Sequence, residues 1–170
     1  MKYYNFRIQS LFLASCFSLA SFFWGTVSVC RAELNPENRG ALRITADEIS
    51  NTIGSVKIAL FDSPQGFPHQ GNKAFRKATV QIQNDTAKFV FNDIPFGTYA
   101  VSIFHDENLN DKYDSHWFGL PKEGVGATND PPLYKGRPSF EECSFTFDRD
   151  MMHKKIEMHY LLRMKKRGAD

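Results

Sequence analysis

Residues 96–114, FGTYAVSIFHDENLNDKYD, constrain the fold more than any other stretch of this chain. Tyr99, Val101 and Ile103 share one face at period two, and Ala100, Ser102 and Phe104 share the other. Such alternation specifies a strand, and because neither face is strongly polar it predicts one side buried and the second partly covered. The strand runs straight into a loop with Asp106, Asn108, Asn110 and Asp114 at relative positions one, three, five and nine. Alternate residues of a tight loop turn their oxygens toward one centre, which is the spacing of a cation loop, with the carbonyl of Lys112 at position seven. Position twelve, where a calcium hand carries a bidentate Glu, is Trp117 and cannot coordinate. A further carboxylate, Glu107 or Glu123, is then needed to complete the shell. An irregular all-oxygen loop favours calcium over magnesium. The competing reading is an Asx-rich turn that closes on its own side chains.

The same period recurs along the chain. Leu42, Ile44 and Ala46 alternate with Arg43, Thr45 and Asp47 over residues 41–49, and Val56, Ile58 and Leu60 alternate over 55–62, so the two segments are expected to pair as an antiparallel hairpin. On the second of these, Ala59 and Phe61 make the outer face partly apolar, which calls for something lying over it. Residues 78–83 and 86–91 form a further alternating pair around Asn84-Asp85. Residues 142–147 and 154–162 are expected to be the last two strands. Residues 63–77 are rich in Gly and Pro without a steady period and are expected to form a long surface loop, a natural place for binding function, while residues 115–138 carry too many Gly and Pro for a helix. Trp117, Phe118, Leu120 and Val125 make the second of these too apolar for a disordered segment, so it is expected to pack on the sheet. Seven short strands and no convincing helix predict an all-β, seven-stranded antiparallel sandwich of Ig-like type with long loops.

The N-terminus is set apart from this domain. Lys2 and Arg7 precede an uncharged apolar run over residues 8–29, and Cys30-Arg31-Ala32 places small residues three before and one before a cut after Ala32. That is the pattern of a secretory signal peptide over residues 1–32. Alternatives are a retained membrane anchor and, from Leu13-Ala14-Ser15-Cys16, a lipoprotein anchored at Cys16. Cleavage would leave a flexible lead-in (33–40), the sandwich (41–162) and a basic tail (163–170). It would make the product periplasmic or secreted, with no transmembrane segment. It removes Lys2, Arg7 and Arg31 and no acid, so the net charge falls by three from +2 to −1. No electrostatic case for nucleic acid survives that subtraction. Cys143 is the one cysteine left, expected as a small buried apolar residue.

Other chemistry is weakly signalled. The chain has no G-x-S-x-G elbow, no phosphate loop and no H-x-H pair. Asp106, Glu107 and Glu123 offer carboxylates, and His105 and His116 flank the loop.

With those residues laid out, the chain resembles a bacterial family. NDIPFGTYAVSIFHDENLNDKYD followed by FGLPKEGVGATND is similar to the signature of exported proteins called domain of unknown function 2141, and ALRITADEI with GSVKIALFDSPQGF is similar to that family's opening segment. Leu109 and Asp111 stand here where glycines are common in the family. The stretch DIPFGTYAV is more distantly similar to transthyretin-like and carboxypeptidase-regulatory-like sandwiches, which implies an accessory or binding role. Two functions are therefore carried forward. One is an exported, non-enzymatic module for an unknown ligand or cell-envelope component, its loop at 106–114 held by structural calcium. The other is a metal-dependent hydrolase using Asp106, His105, Asp114 and Glu123.

Overall fold

The computed structural model describes residues 38–117, 119–132 and 136–161. The expected leader, most of the lead-in, Phe118, Leu162 and the basic tail lie outside the described residues.

Eight strands are formed: β1 (Arg39–Asp47), β2 (Ser55–Phe61), β3 (Arg76–Val80), β4 (Ala87–Pro95), β5 (Gly97–Asp106), β6 (Val125–Ala127), β7 (Phe145–Phe147) and β8 (Met151–Glu157). One sheet has the order β4-β1-β8; the other has β3-β2-β5-β6, with β7 also paired to β5. The architecture is the all-β sandwich that the alternation calls for, with eight strands instead of seven. Most pairs are antiparallel, but β1 and β8 run parallel, Ala41 opposite Met151 through Asp47 opposite Glu157.

The two sheets bury their alternating faces against each other. Leu42 and Ile44 from β1, Ile94 from β4 and Ile156 from β8 meet Val56, Ile58 and Leu60 from β2 and Val101 from β5, with Phe147 of β7 beside them. Complete burial of each such side chain is worth about 1.5–3 kcal/mol. β5 is central: it pairs with β2 from Ser55↔Asp106 to Phe61↔Ala100. Its second face is covered too, as the sequence implies. Phe61, Ala100, Ala127, Phe140 and Cys143 form a smaller cluster there, with Ala59 and Phe67 packed on it. Phe67 meets Phe61 and Phe140 edge to face at 5.3 and 5.9 Å.

Four expectations need correction. The hairpin of 41–49 with 55–62 is not formed, because β1 and β2 lie in different sheets. Alternation tells which face is buried but not which strand is the neighbour, and residues 48–54 carry the chain across the sandwich, dropping Ile49 into the core on the way. Second, the segment 142–147 is only half strand. Residues Phe140–Cys143 make one turn of helix, α1, closed by a capping box in which Ser139 accepts from the Glu142 amide and the Glu142 carboxylate accepts from the Ser139 amide. The S-x-x-E spacing carried that signal. Third, residues 125–127 supply the extra strand inside the glycine-rich stretch. Gly126 is required there, since a Cβ would lie 2.4 Å from the Glu157 carbonyl oxygen and 2.9 Å from Ile156. Fourth, Trp117 does not pack on the sheet; it is 95% exposed.

Thr128 ties these parts together from a fully buried position. Its hydroxyl accepts from the Val101 amide at 3.0 Å and donates to the Cys143 carbonyl at 2.6 Å. Cys143 itself is free and buried, as expected, and burial pushes its thiol up to about 12. Among the described residues no helix is long and apolar enough to cross a membrane.

Candidate functional site

β5 delivers Asp106 to the end of the five-stranded sheet as a fully buried carboxylate. Its oxygens accept from the backbone amides of Asn110 at 3.1 Å and Asp111 at 3.0 Å. The Lys57 ammonium of β2 lies 3.4 Å from the second oxygen and also pairs with Asp111. Burial works against the Lys57 charge, but the two carboxylates outweigh it and raise its pKa.

The rest of the loop folds around this anchor by Asx turns. Asn108 Oδ1 accepts from the Asn110 amide at 3.1 Å, and Asn110 Oδ1 accepts from the Lys112 amide at 2.8 Å. The side-chain amides of Asn108 and Asn110 both donate to one oxygen of Asp114, each at 2.9 Å, and hold its pKa below the usual carboxylate range. Leu109 and Asp111 take left-handed backbone, with φ of 56° and 60°. A left-handed conformation costs a branched L-residue about 1–2 kcal/mol, so the turn is held in shape by its hydrogen bonds and not by local preference.

The chain then doubles back. Ser115 bridges to Pro121, the Lys122 amide donates to the Asp114 carbonyl, and the His105 amide donates to Gly124 at 2.8 Å. This return places Glu123 beside the start of the loop. Glu123 is 6% exposed; Oε1 accepts from the Glu107 amide at 3.1 Å, while Oε2 is buried without a hydrogen-bond partner. Burial raises its pKa, the Glu107 amide opposes that, and negative Asp114, Asp106 and Glu107 add to it. The Glu107 side chain faces elsewhere, accepting from Asn51 at 3.3 Å and lying 3.5 Å from His105 Nδ1.

His105 is fully buried with both ring nitrogens engaged. Nε2 donates to the Ile53 carbonyl at 2.6 Å, and Nδ1 shares a 2.7 Å hydrogen bond with the Tyr160 hydroxyl, which also accepts from the Ser50 amide. The imidazole fastens the loop base to residues 50–53 and offers no free nitrogen to a metal.

Of the sequence-predicted ligands, the fold thus gathers Asp106, Asn108, Asn110 and Asp114 into one turn and adds Glu123. Lys112 enters through its backbone amide, and Glu107 contributes its amide while its carboxylate points away. The contacts formed are those of an Asx-rich turn that closes on itself, and Glu123 at its base keeps one buried carboxylate oxygen without a hydrogen-bond partner. Sequence reasoning missed a second group. Asp130, Glu157 and His159 bring one ligand atom each within 4.8 Å of the others, and among the described residues it is the one such His/Cys/carboxylate trio. His159 Nε2 meets Asp130 at 2.6 Å. Glu157 ends β8 and His159 follows two residues on, bridged to Val125, and that i, i+2 spacing was the available signal; the approach of Asp130 was not legible.

Over residues 44–155 the chain matches the model of a family described as an uncharacterised protein conserved in bacteria, domain of unknown function 2141. No curated protein and no solved structure matches it.

Proposed function

The chain belongs to this uncharacterised bacterial family, and on that footing we propose that it is an exported, non-enzymatic β-sandwich module whose loop at 106–114 is held by one calcium ion. The carrying observation is Glu123 Oε2, a buried carboxylate oxygen with no hydrogen-bond partner, on a group whose ionisation the charges of Asp114 and Asp106 oppose. A buried unpaired charge is costly, and a hard cation is the partner that offsets several carboxylates at once. Asp106, Asp114 and Glu123 would supply charge and the Asn108 and Asn110 amide oxygens neutral ligands. Binding requires the two amides to turn their oxygens inward and release Asp114, and Asp106 to offer a lone pair beyond those that meet the Asn110 and Asp111 amides and the Lys57 ammonium. The occupied nitrogens of His105 weigh against the hydrolase reading, because that reading needs the imidazole at the metal or at water. The basic start, apolar run and small residues before Glu33 support export.

The test is thermal melting of the purified chain with calcium and with chelator. A cation that binds only the folded state adds about 2.7 kcal/mol at a hundredfold excess over its dissociation constant. The melting temperature is expected to rise with calcium, and Asp114→Ala and Asp106→Ala to lose the rise. Equal melting in calcium and chelator would leave the loop a hydrogen-bonded turn and end the proposal.

A further inference from the structure

On the outer face of the five-stranded sheet the loops form a pocket with a cavity volume of about 110 Å³, open to solvent on one side. Phe104 of β5 and the short strand β6 form the floor. The wall is a stacked pair, His69 from the first long loop on Tyr113 from the 106–114 loop, with ring centroids 4.0 Å apart and planes 18° apart. Tyr113 also meets Phe104 edge-on at 6.2 Å, so floor and wall are one aromatic corner. Leu120 and Pro138 extend the apolar lining.

The polar groups are few and one-sided. The Ser102 hydroxyl is engaged, donating to the Pro68 carbonyl at 2.8 Å. Among the described residues of the lining Arg137 is the one charged side chain, and none of them contributes a carboxylate. Among the described residues Arg137 has no ion pair or hydrogen bond. Its charge is felt inside: burial and then Arg137 lower the pKa of His69 to about 4, so the imidazole is neutral at pH 7 and, among the described lining residues, the guanidinium carries the positive charge. A concave aromatic and aliphatic cavity with a single unpaired cation at its rim selects a ligand by shape and charge together.

We propose that this pocket binds a small amphipathic acid, its alkyl or aryl body against Phe104, Tyr113 and His69 and its single carboxylate on Arg137. The inference rests on the reading of the chain as a binding module and names its ligand class. Isothermal titration of the full chain with octanoate and 2-naphthoate is compared with octanol and octylammonium, which remove and reverse the charge. At least one acid is expected to bind, more tightly than octanol, with octylammonium weakest. Arg137→Gln, at an exposed position, is expected to weaken the acid about tenfold and leave octanol unchanged. Which acid binds better distinguishes an alkyl from an aryl body. No binding of either acid, equal binding of octanol, or insensitivity to Arg137→Gln would overturn the proposal. If the acids fail while calcium still raises the melting temperature, the ligand class is wrong and the structural cation stands.

Discussion

Glu123→Gln separates the cation reading from the self-closed turn, because the two readings disagree on its sign. The substitution keeps an oxygen for the Glu107 amide and replaces the partnerless Oε2 with a neutral amide. Leaving a buried acceptor unmatched costs about 1–3 kcal/mol, and a charged one sits at the upper end. Since the new amide recovers only part of that, we expect about 1 kcal/mol of stabilisation in chelator at neutral pH, or about 4 °C for a domain of this size. In calcium the order reverses: the wild-type chain gains about 2.7 kcal/mol at a hundredfold excess, while the variant has lost a charged ligand and gains little. The pH dependence has a defined direction. Glu123 has a folded-state pKa raised above its ordinary 4.5, so its contribution is intact below that value and is lost as pH rises through the raised pKa. The advantage of Glu123→Gln in chelator should therefore be full at neutral pH and vanish below about 4.5. Differential scanning fluorimetry across pH, with calcium and with chelator, gives both curves. A variant less stable than wild type in chelator, or one that keeps the calcium response, would refute the reasoning.

Two further outcomes follow from residues elsewhere. Thr128→Val removes the hydroxyl that serves the Val101 amide and the Cys143 carbonyl and should cost about 2–3 kcal/mol, read as a lower urea midpoint; Thr128→Ser should recover most of it, and a cost under about 0.5 kcal/mol for the Val variant would show that neither bond matters. Mass spectrometry of the protein from its native host should find a new N-terminus near Glu33, whereas intact Met1 or a lipidated Cys16 would contradict the signal-peptide reading.

What was legible in the sequence was local. The alternation of Tyr99, Val101 and Ile103 against Ala100, Ser102 and Phe104 gave the strand, its buried face and the cover on its second face. Phe61 and Ala59, too apolar for a solvent face, announced the layer that Phe140, Cys143 and Phe67 supply. Pairing was not legible. Period two fixes which side of a strand is wet but not its neighbour, so β1 was assigned to β2 when its partners are β4 and β8. The short elements failed for a related reason: three residues around Gly126 carry too little pattern to count as a strand, and the space that requires glycine there comes from Glu157 and Ile156, far along the chain. At the site, Asp106, Asn108, Asn110 and Asp114 were legible because a tight loop is a local object. The role of His105 was not, since its partners Ile53 and Tyr160 are brought to it by tertiary structure alone.

The position of β5 explains why the loop and the pocket belong to one functional reading. Its inner face carries the core, its outer face provides Phe104 to the pocket floor, and its last residue is the buried Asp106 that anchors the loop. The loop then returns Tyr113 to the pocket as the wall, one residue before Asp114. A cation that draws Asp114 toward Asp106 must also fix the backbone of Tyr113, lowering the cost of ordering the wall against a ligand. Coupling of this kind is reciprocal, so a ligand seated on Tyr113 raises cation affinity by the same factor. The left-handed backbone at Leu109 and Asp111 is held by the turn's own hydrogen bonds, and a cation that took Asp114 from the Asn108 and Asn110 amides would rearrange those bonds and with them the approach of Tyr113.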